Sequence, residues 1–129
     1  MDNSFEPERR SWTRKFRDSF CGFRDGIRGQ SSFQIHFAVS ALVVASACYL
    51  ELNPTDWCIL LLCIGGVLSI EMLNSALEEL SKAIHSEFNP HIEKGLNIAS
   101  AAVLLSAIGA SLVGLIIFGS CLGSKFQWW

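Results

Sequence analysis

Three stretches of this chain contain no Asp, Glu, Lys or Arg: residues 29–50, 57–70 and 95–124. No other feature restricts the possible folds as much. A helix that crosses a hydrocarbon core about 30 Å thick needs roughly 20 mostly apolar residues. The first and third stretches satisfy this alone. The second does so if its helix continues through Glu71 towards Leu80. Half of the 129 residues are hydrophobic and the mean hydropathy is +0.36, which is too oily for an ordinary soluble domain of this size. One domain is expected at this length. No cleavable leader is expected, because the N-terminus is charged and lacks an early apolar core.

The net charge of −2 says little, and no nucleic-acid partner is expected. The distribution of charge says more. Seven of the ten Lys and Arg residues precede residue 29, the linker ELNPTD (51–56) has none, and the tail has only Lys125. An excess of cations marks the cytoplasmic side. The N-terminus and the segment Lys82 to Lys94 are therefore expected in the cytoplasm, and the first linker and the C-terminus outside. Trp57, Trp128 and Trp129 then fall at the outer boundary, where an aromatic belt belongs. The five cysteines (Cys21, Cys48, Cys58, Cys63, Cys121) show no CxxC spacing and read as small hydrophobes.

Along the chain, residues 1–10 are polar and expected to be frayed. Residues 11–28 repeat as a helix. Trp12, Phe16, Phe20, Phe23 and Ile27 fall within about 80° of arc at about 100° per residue. Arg10, Arg14, Arg17, Arg24 and Arg28 gather opposite them. Such a helix lies in a membrane surface; the alternative is a helix packed on a soluble core. Gly29-Gln30-Ser31-Ser32 breaks it, and Ser31 or Ser32 is placed to cap the next helix. Spans are expected at about 33–52, 56–87 and 92–122, with a short outer tail at 123–129. Asn53-Pro54 is the turn before the second span, and Thr55 with Asp56 opens it. Asn89-Pro90 ends it. The third span carries a ridge of small residues, Ala102, Ser106, Ala110 and Gly114. This is either a close helix contact, within or between subunits, or the ordinary frequency of small residues in membrane helices.

The second span holds the polar chemistry. Glu71, Asn74 and Glu78 lie within about 60° on one face. Ser75, Lys82 and His85 continue the line. Counted from Trp57, Glu71 lies about 21 Å along a core about 30 Å thick, in its cytoplasmic third. Glu78 reaches the cytoplasmic interface. An acid inside a bilayer costs a few kcal/mol, roughly, and marks function by default; the plainer reading is a structural pair with a neighbouring helix. Glu79 lies off the stripe and reads as structural. Lys82, four residues from Glu78, reads as its surface ion-pair partner. His36 and His85 have no partners at ligand spacing. No GxxxxGKS/T, GxGxxG or nucleophile-elbow motif is present.

These residues resemble a known family. EMLNSALEEL (71–80) resembles the signature E-x-x-N-S-A-I-E of the small prokaryotic diacylglycerol kinases, which include the undecaprenol kinases. GQSSFQIHF resembles the stretch E-x-N-F-R-I-H before that family's first span. SEF (86–88) resembles its acidic-aromatic linker, and NIASAAVLL the opening of its third span. The similarity covers about residues 16–120. It implies an all-α integral membrane homotrimer, with an N-terminal amphipathic surface helix and three transmembrane helices per subunit. It also implies a bacterial inner-membrane location and active sites shared between subunits. The implied reaction moves the γ-phosphate of Mg-ATP to a lipid hydroxyl, that of diacylglycerol or undecaprenol. Glu71 matches the general base, Asn74 the polar residue one turn on, and Glu78 a magnesium ligand that also faces the nucleotide. Glu87 and Asn97 fall where the nucleotide is contacted. Glu71, Arg24 and Phe33 fall where the lipid is bound.

The chain departs from the pattern at several positions. Gln30 stands where the family has a second metal-binding Glu. Leu96-Asn97 replaces a Lys-Asp pair, Gln34 an Arg, and Lys82 an acid. Gln30 and Asn97 keep an oxygen donor without the charge. Leu96 has no group for a phosphate, and Lys94 points about 200° away from it on a regular helix. An ATP-dependent lipid kinase is the first reading. A homologue that binds lipid or nucleotide without turnover is the second, motivated by the lost charges. A third, from another class, is an oligomeric subunit whose Glu71 carries protons or holds partner helices; the off-centre depth of Glu71 argues against it.

Overall fold

The computed structural model describes residues 11–29, 31–84 and 88–126. They form four helices: α1 (Trp12–Gly29), α2 (Ser31–Leu50), α3 (Pro54–Ile84) and α4 (Pro90–Lys125). Three of them, α2, α3 and α4, are long and apolar enough to cross a membrane. Gln30, His85, Glu87, Trp128, Trp129 and the segment 1–10 with Arg10 lie outside the described residues.

The helix ends follow from local hydrogen-bonding chemistry, and several differ from expectation. Ser11 precedes α1 and its hydroxyl accepts from the Arg14 amide at 3.4 Å. Ser31 is the first residue of α2 and not its cap. At the start of α3 the cap is Asn53, whose Oδ1 accepts from the Asp56 amide at 3.0 Å. Thr55 and Asp56 already lie inside the helix, because Pro54 fits its first position, where no amide hydrogen is needed. Asn89 does the same for α4: its backbone is extended, its side chain accepts from the His91 amide at 2.9 Å, and Pro90 follows.

The turn between α2 and α3 is short. The Leu52 amide donates to the Ala47 carbonyl and the Glu51 amide to the Cys48 carbonyl, both at 3.3 Å. This pair is a Schellman closure. It needs a left-handed residue, and Glu51 takes that role at φ 56°. Leu52 is thereby turned back onto Ala47. Together with Leu60 and Ile117 these residues form the apolar core, with Trp57, Val113 and Phe118 against it. The Cys121 thiol donates to the Leu50 carbonyl at 3.8 Å. All five cysteines are unpaired.

Helix α3 is the central element. It packs against each of the other three helices, most extensively α4. In its most apolar stretch 28% of residues are buried, against 11% in α2 and in α4. The remaining apolar surface faces outward, including Leu61, Leu62, Leu105, Leu115 and Ile116, as lipid-facing helices require. At about 1.5 Å per residue, the 20 residues of α2 match a core about 30 Å thick. The 31 residues of α3 exceed it. Helices α2 and α3 meet at the Glu51 turn, so the excess length of α3 lies at its other end, beyond the start of α2. Within the small-residue ridge, Ala110 and Gly114 line an open cleft between α2, α3 and α4, and a Cβ added at Gly114 would meet no atom within 4 Å.

Candidate functional site

Where α3 passes the first turns of α2, the packing changes from apolar to polar. A cavity of about 260 Å³ opens there. It is lined by Ser32 and His36 of α2, by Glu71, Asn74 and Glu78 of α3, and by Ser100, Val103, Leu104 and Ala107 of α4. The 3-and-4 spacing in α3 thus delivers its three polar side chains to a single space.

Glu71 is 1% exposed, and Asn74 and Ser75 are also buried. The Ser75 hydroxyl donates to the Glu71 carbonyl at 3.0 Å, a local bond that satisfies the serine within its own helix. The Asn74 Nδ2 donates to Glu78 Oε1 at 3.0 Å. Among the described residues, two buried side-chain oxygens are left without a partner, Glu71 Oε1 and Asn74 Oδ1. Leaving a buried acceptor unsatisfied costs about 1–3 kcal/mol, more for a charged group. A hydrogen-bond donor brought into the cavity would satisfy Glu71 Oε1.

The other expected site residues are distributed differently. Phe33 is fully buried, with its ring edge-on to Phe23 (centroids 6.1 Å apart) and stacked on Phe37 (6.5 Å). It joins α1 to α2 behind the cavity and does not line it. Arg24 is exposed, 3.6 Å from Asp25. Asn97 is exposed on α4, one turn before Ser100, which does reach the cavity. Gln30 and Glu87 lie outside the described residues. The expected Lys82–Glu78 ion pair is replaced by Lys82–Glu79, at 2.6 Å. The reason is local: Glu78 is half-buried and its Oε1 already accepts from Asn74, whereas Glu79 is exposed. Gln34, in the family's arginine position, donates to the Ile27 carbonyl at 3.1 Å and so ties the end of α1 to α2. Helix α1 also touches the back of the site: Gly26 faces Met72, the neighbour of Glu71.

Reading one helix at a time misses Ser32, His36 and Ser100. Each stands on a different helix from the carboxylates, and only the packing of α2 and α4 on α3 brings them together. The available signal was their position: each interrupts or borders an apolar run.

The donor set consists of carboxylate, amide and hydroxyl oxygens together with the His36 imidazole. Although His36, Glu71 and Glu78 share the cavity, among the described residues no three His, Cys, Asp or Glu side chains are placed to hold a metal ion by themselves. Magnesium is ordinarily held by one or two carboxylates together with phosphate oxygens and water. Glu78 fits that mode, with its carboxylate oriented by Asn74.

The sequence profile of the prokaryotic diacylglycerol kinases matches residues 17–118. The chain belongs to this family. By that membership it is a lipid kinase, and its three apolar helices make it an integral membrane protein. It is 32% identical to the undecaprenol kinase of Bacillus subtilis, across 75% of this chain and 79% of that protein. It is 29% identical to the diacylglycerol kinase of Escherichia coli strain K12, across 81% of this chain and 86% of that one. With the diacylglycerol kinase of Helicobacter pylori it shares 27% identity across 87% and 90%. The match takes in all of α2 and α3 and therefore the whole carboxylate face.

Proposed function

We propose that this chain transfers the γ-phosphate of Mg-ATP to the hydroxyl of a membrane lipid, diacylglycerol or undecaprenol, with Glu71 as general base. The observation that carries the reading is the enclosed Glu71 carboxylate with one oxygen unpaired, facing a cavity that Glu78 also lines.

The lipid hydroxyl donates to Glu71 Oε1. As its oxygen bonds to the γ-phosphorus, the proton passes to Glu71 and the bond to the β,γ-bridging oxygen breaks, with ADP leaving. Phosphoryl transfer of this kind needs positioning and charge stabilisation more than covalent help. When bound, magnesium neutralises charge on the phosphates. Glu78 holds it from the protein side, and the Asn74 amide keeps that carboxylate in place. Gln30 is a weaker second oxygen donor, and Glu87 and Asn97 contact the nucleotide from the cytoplasmic side. Arg24 and Phe33 act on the lipid side, Phe33 through the α1–α2 junction.

The same reading gives the chain one kinase domain over residues 11–122. Helix α1 lies on the membrane surface, aromatics to the lipid and arginines to water and head groups. Three copies assemble, in a bacterial inner membrane, with the N-terminus in the cytoplasm and the C-terminus outside. Purified protein in mixed micelles with radiolabelled ATP and magnesium tests the function. Diacylglycerol and undecaprenol are offered separately. Labelled lipid identifies the acceptor. Absence of product with both, from folded protein that binds nucleotide, points instead to a homologue that binds without turnover.

A further inference from the structure

The polar line of α3 does not stop at Glu78. One turn further, Lys82 stands on the same side of the helix, since residues four apart lie one above the other. Counted from Trp57 at about 1.5 Å per residue, Lys82 lies about 37 Å along α3, past a hydrocarbon core about 30 Å thick. It is thus one turn beyond the polar cavity, whose outermost α3 residue is Glu78. Its ammonium donates to Glu79 Oε1 at 2.6 Å, and the two side chains are 66% and 70% exposed.

Among the described residues, α3 and α4 offer no other cation at this place. Lys82 is the one Lys or Arg of α3. Helix α4 carries Lys94 and Lys125, and Lys125 lies at the opposite end of the bundle. At the start of α4 the residues withdrawn from solvent are Ile92, Leu96, Ala99 and Val103, an apolar face turned to the bundle. Lys94 is exposed and, two residues from Leu96, points about 200° away from that face.

A nucleotide whose magnesium is held by Glu78 brings its phosphates beside Glu71, Glu78 and Glu79. Magnesium neutralises only part of the triphosphate charge, and phosphoryl transfer depends on cations that stabilise the rest. Lysine meets phosphate as a compact charge on a flexible stem, long enough to cover one helical turn. Its exposed pair with Glu79 contributes little, so Glu79 parks the ammonium without competing strongly with a phosphate.

We infer that Lys82 is the phosphate-binding cation of this chain: in the nucleotide complex its ammonium leaves Glu79 and donates to phosphate oxygens beside the magnesium at Glu78. The inference rests on the kinase reading above. Position 82 is one of those at which the chain departs from its family's pattern, so the role belongs to this chain.

The test measures equilibrium binding of Mg-ATP to the purified protein in micelles, together with KM for ATP and for lipid. Lys82→Gln is expected to weaken ATP binding and raise the ATP KM about tenfold, as loss of a hydrogen bond to a charged group does, with the lipid KM unchanged. Lys82→Arg, which keeps the charge, should recover most of the loss. Glu79→Gln breaks the same ion pair from the other side and frees the ammonium. It should bind ATP as tightly as wild type, or up to about fivefold more tightly. A lysine that served only Glu79 would make the two variants act alike. Equal losses in Lys82→Gln and Glu79→Gln therefore overturn the inference, as does unchanged ATP affinity in Lys82→Gln or failure of Arg to restore it. Binding and turnover separate this inference from the reading beneath it. If wild type binds Mg-ATP and forms no labelled lipid, the kinase reading falls, and the affinities of the three variants still decide the role of Lys82. If wild type forms product and Lys82→Gln matches it in ATP affinity and KM, only Lys82 falls. If wild type binds no Mg-ATP, both fall.

Discussion

The two ends of the helical bundle are built to opposite rules. At the Glu51 turn, Ala47, Leu52, Leu60 and Ile117 close on one another, and the end of α2 is finished by a completed Schellman closure. At the other end the same helices enclose Glu71, Asn74 and Ser75 and leave two oxygens without partners. One end satisfies its own backbone and apolar groups, whereas the other leaves buried acceptors open, as the proposed substrate site requires. The difference separates what holds α2, α3 and α4 together from what uses them. On the proposed reading, an unpaired carboxylate kept in an apolar bundle gives up stability in exchange for chemistry.

Substitutions at the two ends should therefore have opposite signatures. The largest effect belongs to Glu71. Removing a positioned general base costs about 10²–10⁴ in rate, so Glu71→Gln should lose lipid phosphorylation by that factor in the micelle assay. Next comes Asn74→Ala, which frees the Glu78 carboxylate. Outer partners of this kind are worth about 10–100-fold in metal affinity, so the magnesium concentration for half-maximal activity should rise by that factor. At the opposite end, Leu60→Ala opens a cavity in the closed core. It should lower stability by about 2–5 kcal/mol, read by denaturant titration in micelles, with the magnesium requirement unchanged. The smallest effect is at Glu51, a non-glycine residue in the left-handed region. Glu51→Gly should raise stability by up to about 1 kcal/mol and leave activity untouched. A loss of stability there would show that the turn is held by the Glu51 side chain and not by its backbone.

The contrast was partly legible in the sequence. Runs without charge define α2 and α4, because a helix in lipid tolerates few ionised groups. The face shared by Glu71, Asn74 and Glu78 follows from helical spacing alone. The helices α2, α3 and α4 each begin two residues before the expected spans, and for α3 and α4 the reason is that Asn53 and Asn89 cap them from just before the prolines. The rest lies between helices. Nothing in the spacing of α2 or α4 places His36 and Ser100 opposite Glu71. Likewise, the choice of Glu79 over Glu78 by Lys82 depends on Glu78 being half-buried and already bonded. Gln34 looks like a lost arginine in sequence, yet in the structure its amide closes the end of α1.

The central claim is that Glu71 is buried for catalysis at the expense of packing. The direct test is a paired measurement on Glu71→Gln: lipid phosphorylation with magnesium and ATP, and stability in the same micelles. The account predicts loss of product together with unchanged or increased stability, because a neutral amide replaces an unpaired carboxylate. Retained product, or lost activity that merely follows a less stable protein, would contradict it and return Glu71 to a structural role.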